Sequence, residues 1–330
     1  MWHKRRKSIV VLGSIIVIIA VSNFLINEPN FRLPTSSPVS NTNESLAIPS
    51  ISTRTFFFAE TSNRSTLTAR QACAVESVAR LHPNDSVSIV HVSDYINQSE
   101  PLMKLLRNFT NVNFQPACLD QMMKDSPLEP WIKTRPWMKS AYNVSHLSDI
   151  MRSLLMWKFG GVYLDFDIVA LRSMKELKNA IGLQSEDYLA AGVLIFDKGH
   201  PLINATIHEL ANNYWPNSWG HHGPDLYTRI LKRMCNVKKL SELKSKNCMN
   251  VHILSPPAFY PVFYPSWRKF FRTSDAGDTI IQWHSSYLIH IWNKLAEKET
   301  LIMGSGQPYD LAAKYFCPRV YQLMKPYKKM

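Results

Sequence analysis

The sequence predicts an α/β domain preceded by one membrane-spanning helix. Three observations predict it. From Thr55 onward, short apolar strand-like runs alternate with helix-like segments, the order that favours a parallel sheet. At Gly160-Gly161 the apolar spacing switches from helical to strict alternation. Near the start, Lys4-Arg5-Arg6-Lys7 precedes an uncharged run from Ser8 to Asn27.

That run is long enough to span a bilayer, since about 20 residues at ~1.5 Å each cover the ~30 Å hydrocarbon layer. A cleavable signal peptide has a shorter apolar region and a small-residue cleavage site, which Ala20-Val21-Ser22 fits poorly. The positive cluster holds residues 1–7 in the cytosol as a tail. Residues 8–27 are then a type II signal anchor, and everything beyond is lumenal. Residues 28–54 are dominated by Pro, Ser, Thr and Asn and bury too little apolar surface to fold, so they read as a flexible stem. Residues 55–330 form the lumenal domain.

Two features agree with a lumenal address. Seven Asn-x-Ser/Thr sequons, at Asn43, Asn63, Asn84, Asn97, Asn108, Asn143 and Asn204, all lie beyond the anchor and predict a glycoprotein. In an oxidising lumen most of the five cysteines pair, with Cys235 and Cys248 as the expected local bridge and one thiol left free or intermolecular. The chain is 45% apolar, which excludes wholesale disorder. Its net charge of +13 suggests nucleic acid, but no long basic block follows the stem. The lumenal topology excludes that partner. An anionic membrane or a nucleotide diphosphate suits the charge better.

Within the folded region, Thr55–Glu60 reads as a buried strand. Helical spacing follows over 67–80 and stops at His82-Pro83. Val87–Val92 and, more weakly, Val112–Phe114 are further strands. Residues 120–144 read as irregular, and 205–214 and 224–235 as helices. Over 145–171 Ser145 is the expected helix cap, with Leu147, Ile150, Met151, Leu154 and Leu155 as its apolar stripe and Gly160-Gly161 as its stop. Val162, Leu164, Phe166 and Ile168 then alternate with Tyr163, Asp165 and Asp167 as a strand, which aims both carboxylates to one side. Two such carboxylates repel, and a hard divalent cation relieves that.

The segment Ser148-Asp149-x-x-Arg152, followed by Leu155-Met156-Trp157-Lys158-Phe159-Gly160-Gly161-Val162-Tyr163-Leu164-Asp165-x-Asp167, resembles the donor-binding region of glycosyltransferase family 32. Trp219-Gly220-His221-His222-Gly223-Pro224, Ala258-Phe259-Tyr260-Pro261 and His290-Ile291-Trp292-Asn293-Lys294 continue the likeness, which is to the animal α1,4-galactosyltransferases of glycolipid synthesis and their insect N-acetylgalactosaminyltransferase relatives. The resemblance implies a GT-A-like fold, a Golgi membrane address and a retaining hexosyltransferase that uses Mn²⁺ or Mg²⁺. Its donor is UDP-galactose or UDP-N-acetylgalactosamine and its acceptor a glycolipid such as lactosylceramide.

By position, Asp165 contacts donor and metal, Asp167 binds the metal, and His290 is a further ligand. Asp149 and Arg152 hold donor hydroxyls and phosphate, Tyr163 packs near the nucleotide, and Trp292 and Lys294 lie near the diphosphate. Asp225 is the catalytic candidate, as nucleophile or as a group that positions the acceptor. Trp215, Trp219 and Trp267 are candidates for stacking on sugars. Ala190-Ala191-Gly192 stands where the galactosyltransferases carry an Asn-Gly element, and its small side chains leave room for an N-acetyl group. The alternative of another class is an inactive carbohydrate-binding membrane protein on the same fold, which the intact acidic residues and Arg152 weigh against.

Overall fold

A computed structural model describes residues 54–244 and 247–330. The predicted tail, anchor and stem up to residue 53 lie outside the described residues. Among the described residues no helix is long and apolar enough to cross a membrane.

The chain opens with β1 (Thr55–Glu60), whose Phe56, Phe57 and Phe58 are buried. Then come α1 (Ala69–Leu81), β2 (Ser86–His91), α2 (Pro101–Arg107) and β3 (Val112–Pro116). A Thr68–Gln71 capping box starts α1, satisfying two otherwise unpaired backbone donors. Short helical turns at 119–123, 131–134 and 136–139 occupy the segment read as irregular and lead to α3 (Asn143–Phe159). Next come β4 (Gly161–Leu164), β5 (Ile168–Ala170), β6 (Ala180–Ser185), β7 (Tyr188–Phe196), α4 (Pro201–Asn212), α5 (Pro224–Cys235) and β8 (His252–Leu254). The last elements are β9 (Leu288–His290), α6 (Asn293–Ala296), α7 (Pro308–Phe316) and α8 (Pro318–Met324).

Seven strands form one sheet in the order β3-β2-β1-β4-β7-β6-β8. β1, β2, β3 and β4 run parallel, whereas β7 is antiparallel to both β4 and β6. The architecture is α/β and GT-A-like: a parallel half-sheet built from β-α-β units, with the acidic pair at the carboxyl end of β4, the middle strand of the seven. That end is where open α/β sheets place their ligands. A second, two-stranded sheet pairs β5 with β9. Helix α3 packs against β1 and β4, and its apolar stripe joins the main core.

The Gly160-Gly161 stop has a geometric cause. Both residues have positive φ, and a Cβ at Gly160 would lie 2.3 Å from the Lys198 nitrogen and one at Gly161 2.5 Å from the Thr55 carbonyl. The predicted start of α3 needs correction. The helix begins at Asn143, and Tyr142 caps it without a side-chain hydrogen bond, so Ser145 is inside the first turn. The first C-terminal helix likewise begins at Pro201 and ends at Asn212, whereas 224–235 is as expected.

Cys235–Cys248 forms the expected bridge, Cys73–Cys317 ties α1 to the start of α8, and Cys118 is free and exposed. Arg54–Met330 makes one compact unit that holds the sheets, the core and both disulfides.

Candidate active site

The site forms where β4 stops. The alternating strand expected through Ile168 does not continue: the ladder with β7 ends at Leu164, and Asp165 to Asp167 form a bend before β5. The Asp165 N–H still donates to the Gly192 carbonyl at 2.8 Å, which fixes where the bend begins. The antiparallel register Ile168↔His290 then brings β9 alongside the bend. One ligand atom each of Asp165, Asp167 and His290 lies within 4.8 Å of the others. The carboxylates converge because the chain turns, not because they share a strand face. Phe166, between them, leaves the cluster to stack on Phe58 at 5.0 Å.

Both carboxylates are held from behind. Asp167 Oδ2 accepts the Asn293 N–H at the start of α6, at 2.7 Å, and its Oδ1 is 3.1 Å from His290 Nε2. Asp165 Oδ1 accepts from Arg152 Nη2 at 3.0 Å and from the Tyr163 hydroxyl at 2.8 Å. Burial alone would raise the Asp165 pKa, but Arg152, His290 and Tyr163 together bring it below the usual carboxylate range. Burial disfavours the charged form of His290, yet Asp167 and Asp165 prevail and lift it to about 9.

Arg152 anchors the other wall. It donates to the Ala191 carbonyl at 3.0 Å and to Ser148 Oγ at 3.1 Å, and its guanidinium lies 5.1 Å from the Tyr163 ring centre. Asp149 Oδ1 is 3.4 Å away, and burial, opposed by Arg152, raises the Asp149 pKa to about 7. The Arg152 Nε is buried and has no hydrogen-bond partner. Tyr163 is only 1% exposed, so it is a prop beneath Asp165 and has no open face for a nucleotide.

The donor set, two carboxylates and an imidazole, suits a divalent cation of the Mn²⁺ or Mg²⁺ kind. The backbone leaves room for one: a Cβ on Gly192 would come within 3.0 Å of Asp165 Oδ2 and 3.1 Å of His290 Nε2. These residues fit a divalent metal site.

Residues 68–187 match the family described as "Glycosyltransferase sugar-binding region containing DXD motif", and residues 195–324 match "Alpha 1,4-glycosyltransferase conserved region". The mouse lactosylceramide 4-alpha-galactosyltransferase is 33% identical over 307 residues, 92% of this chain and 85% of the mouse protein. The chain belongs to the alpha-1,4-glycosyltransferase family. A human alpha-1,4-N-acetylglucosaminyltransferase is 29% identical over 82% of this chain and 80% of its own length. Among solved structures, the galactosyltransferase LgtC in complex with donor and acceptor sugar analogs is 13% identical, with a TM-score of 0.41 over 82% of this chain and 95% of that one.

Of the remaining expected residues of this glycosyltransferase, Trp292 meets the cluster directly, through the His290 ring. Trp292 adopts a left-handed backbone conformation, lies with its ring tilted 59° against that of His290 at 4.5 Å, and donates its indole N–H to the Val262 carbonyl at 2.8 Å. Lys294 is exposed on α6, in the turn that Asp167 caps. Asp225 sits in the first turn of α5, where burial, opposed by Arg229, raises its pKa. Trp267 is buried and therefore core, whereas Trp215 and Trp219 are exposed. The His221 and His222 rings meet edge to face, 5.0 Å apart at 82°, and His222 is buried.

Two participants were legible only as members of motifs, Tyr260 in Ala258-Phe259-Tyr260-Pro261 and Gly192 in Ala190-Ala191-Gly192. Tyr260 is buried 5.5 Å from both the His290 and Trp292 rings, and Gly192 supplies space rather than a functional group. Their placement depends on β7 and β9 meeting β4 and β5, which no local pattern encodes.

Proposed function

We propose that this glycosyltransferase adds α1,4-linked galactose from UDP-galactose to a glycosphingolipid such as lactosylceramide, with retention at the anomeric carbon. We propose further that it does so from a type II anchor at residues 8–27, on the lumenal face of the Golgi membrane. The observation that carries the reading is the convergence of Asp165, Asp167 and His290 beside buried Arg152, in a chain related along most of its length to lactosylceramide 4-alpha-galactosyltransferases.

Transfer breaks the bond between the anomeric carbon and a β-phosphate oxygen. UDP leaves with that bond's electrons, and the acceptor oxygen bonds to carbon from the same face as its proton passes to the departing β-phosphate oxygen. Mn²⁺, held by Asp165, Asp167 and His290, would supply positive charge to the diphosphate. Asp165 also orients ribose or sugar hydroxyls, kept ionised by Arg152. Arg152 and its partner Asp149 hold donor hydroxyls and phosphate at this wall. Lys294 and Trp292 border the diphosphate, and Lys294 adds a mobile cation where the leaving charge grows. Asp225 positions the acceptor hydroxyl.

A second reading, transfer of N-acetylgalactosamine, is favoured by the small Ala190-Ala191-Gly192 wall and by the presence of an N-acetylhexosaminyl transferase among the relatives. Incubation of the protein with lactosylceramide and each UDP-sugar in turn tests both. Galactose transfer supports the first reading and exclusive N-acetylgalactosamine transfer the second. Transfer of neither sugar to any glycolipid refutes both.

A further inference from the structure

The loop from Asn213 to Gly223 joins α4 to α5 and ends against the donor wall: a Cβ on Gly223 would lie 2.8 Å from Asp149 Oδ1. This loop presents Trp215 and Trp219 to solvent, 58% and 48% exposed. Its backbone is nonetheless pinned from below. His222 Nε2 accepts the Trp215 N–H at 2.8 Å, Ser140 Oγ donates to the Pro216 carbonyl at 2.7 Å, and Arg229 donates to the His221 carbonyl at 2.9 Å. His146, fully buried, binds the Ser218 carbonyl at 3.2 Å. A loop tied this firmly holds its indoles in water at a cost in apolar exposure.

The two indoles differ in what they touch. Trp215 donates its ring N–H to Asn213 Oδ1 at 2.7 Å and stacks on His221 at 5.4 Å, so it is a buttress. The Trp219 ring makes no hydrogen bond or ring contact among the described residues. Next to it, the Gly220 carbonyl accepts the Asp225 N–H at 3.2 Å, and a Cβ on Gly220 would sit 3.6 Å from Asp225 Oδ2. The half-buried Asp225 carboxyl in turn accepts no hydrogen bond from the described residues.

An open aromatic face beside an unpaired carboxylate is the recognition chemistry of a neutral pyranose. The C–H face of the ring lies on the indole, and a hydroxyl donates to the carboxylate. A phosphate is disfavoured there, because Asp225 and Asp149 flank the loop. We propose that Trp219 is a specificity-determining residue of the acceptor site, the platform on which the terminal sugar of the acceptor stacks while its reacting hydroxyl points toward the donor wall. This rests on the reading above that the enzyme extends a glycan, and it adds where that glycan is gripped.

The test compares the full-length protein with Trp219→Ala and Trp219→Phe, using acceptor KM, donor KM and acceptor-free hydrolysis of the UDP-sugar as readouts. The Ala variant is expected to raise acceptor KM about tenfold, in the range that losing an exposed aromatic anchor produces. The Phe variant should stay near wild type, and donor KM, hydrolysis and melting temperature should not move. An unchanged acceptor KM overturns the proposal. So does an equal rise in donor KM or a parallel fall in hydrolysis, either of which reports a structural role. If the wild type transfers to no glycolipid, the functional reading has failed, and saturation-transfer NMR with methyl glycosides of galactose, N-acetylgalactosamine and mannose decides the platform alone. Signal lost in Trp219→Ala supports it. Signal retained, or absent from the wild type with all three, overturns it.

Discussion

Replacing Arg152 with Met removes the cation around which the donor wall is built while keeping most of its apolar bulk. Three hydrogen bonds disappear, to the Ala191 carbonyl, Ser148 Oγ and Asp165 Oδ1, and Asp149 loses its partner at 3.4 Å. Removing one member of a buried ion pair costs about 3–5 kcal/mol, because the remaining charge is left uncompensated. At roughly 2–4 °C per kcal/mol for a domain of this size, the melting temperature should fall by about 6–20 °C.

The loss carries a pH signature. Asp149 already has a raised pKa in the fold, about 7. A carboxyl raised above its unfolded value binds its proton more tightly when folded, so its contribution to stability falls as pH rises from about 4 through that folded pKa. Without Arg152 the folded pKa rises further, and the falling range extends above pH 7. The deficit of Arg152→Met should therefore be larger at pH 8 than at pH 5.5, and Asp149→Asn in the same chain should recover part of it at pH 8. Thermal unfolding by circular dichroism at the two pH values reads this directly. A melting temperature within 2 °C of wild type at both would refute the claim that Arg152 is the buried counterion.

Other outcomes follow from the same geometry. Gly192→Ala should fold normally, since its backbone is not in the left-handed region, but should weaken Mn²⁺ binding about tenfold, because the new methyl crowds Asp165 and His290; calorimetric titration checks this. His222 is held neutral by burial and by neighbouring His146, His221 and Arg229, with its pKa pushed down to about 3. A depressed pKa gives stability that is complete above the unfolded value and lost as pH falls, so wild-type stability should decline from about pH 6.5 downward. His222→Gln should flatten that part of a urea-midpoint profile, and an unchanged slope would contradict it. Breaking the Cys73–Cys317 bridge by Cys317→Ala opens a long loop and should cost up to about 5 kcal/mol, read from the urea midpoint with the Cys235–Cys248 bridge intact.

The sequence made some of this legible and hid the rest for physical reasons. Gly160-Gly161 was readable because the apolar period changes there, and steric exclusion of a Cβ enforces it. The pairing of Asp165 with Asp167 was readable from their spacing, but its cause was not. Alternation implied a continuous strand, whereas loss of β7 pairing after Leu164 lets the chain bend. His290 could be placed with them only by resemblance to a family, because its approach depends on the distant pairing of β5 with β9. Tyr163 fell on the acidic side of the alternation, and only packing against Ser148 and Asp165 reveals that it faces inward. The three tryptophans were equivalent as letters. Burial within the C-terminal segment removes Trp267, while the ties at Ser140, His146 and His222 hold Trp215 and Trp219 in solvent.

The most direct measurement is Mn²⁺ binding to the purified protein in the presence of UDP, wild type against Asp167→Asn, followed by electron paramagnetic resonance of the free ion. The account predicts saturable binding by the wild type and at least a tenfold weaker response from a variant whose melting curve still shows a folded protein. Equal binding by the two proteins, or none by the wild type, would contradict the assignment of Asp165, Asp167 and His290 as the cation centre.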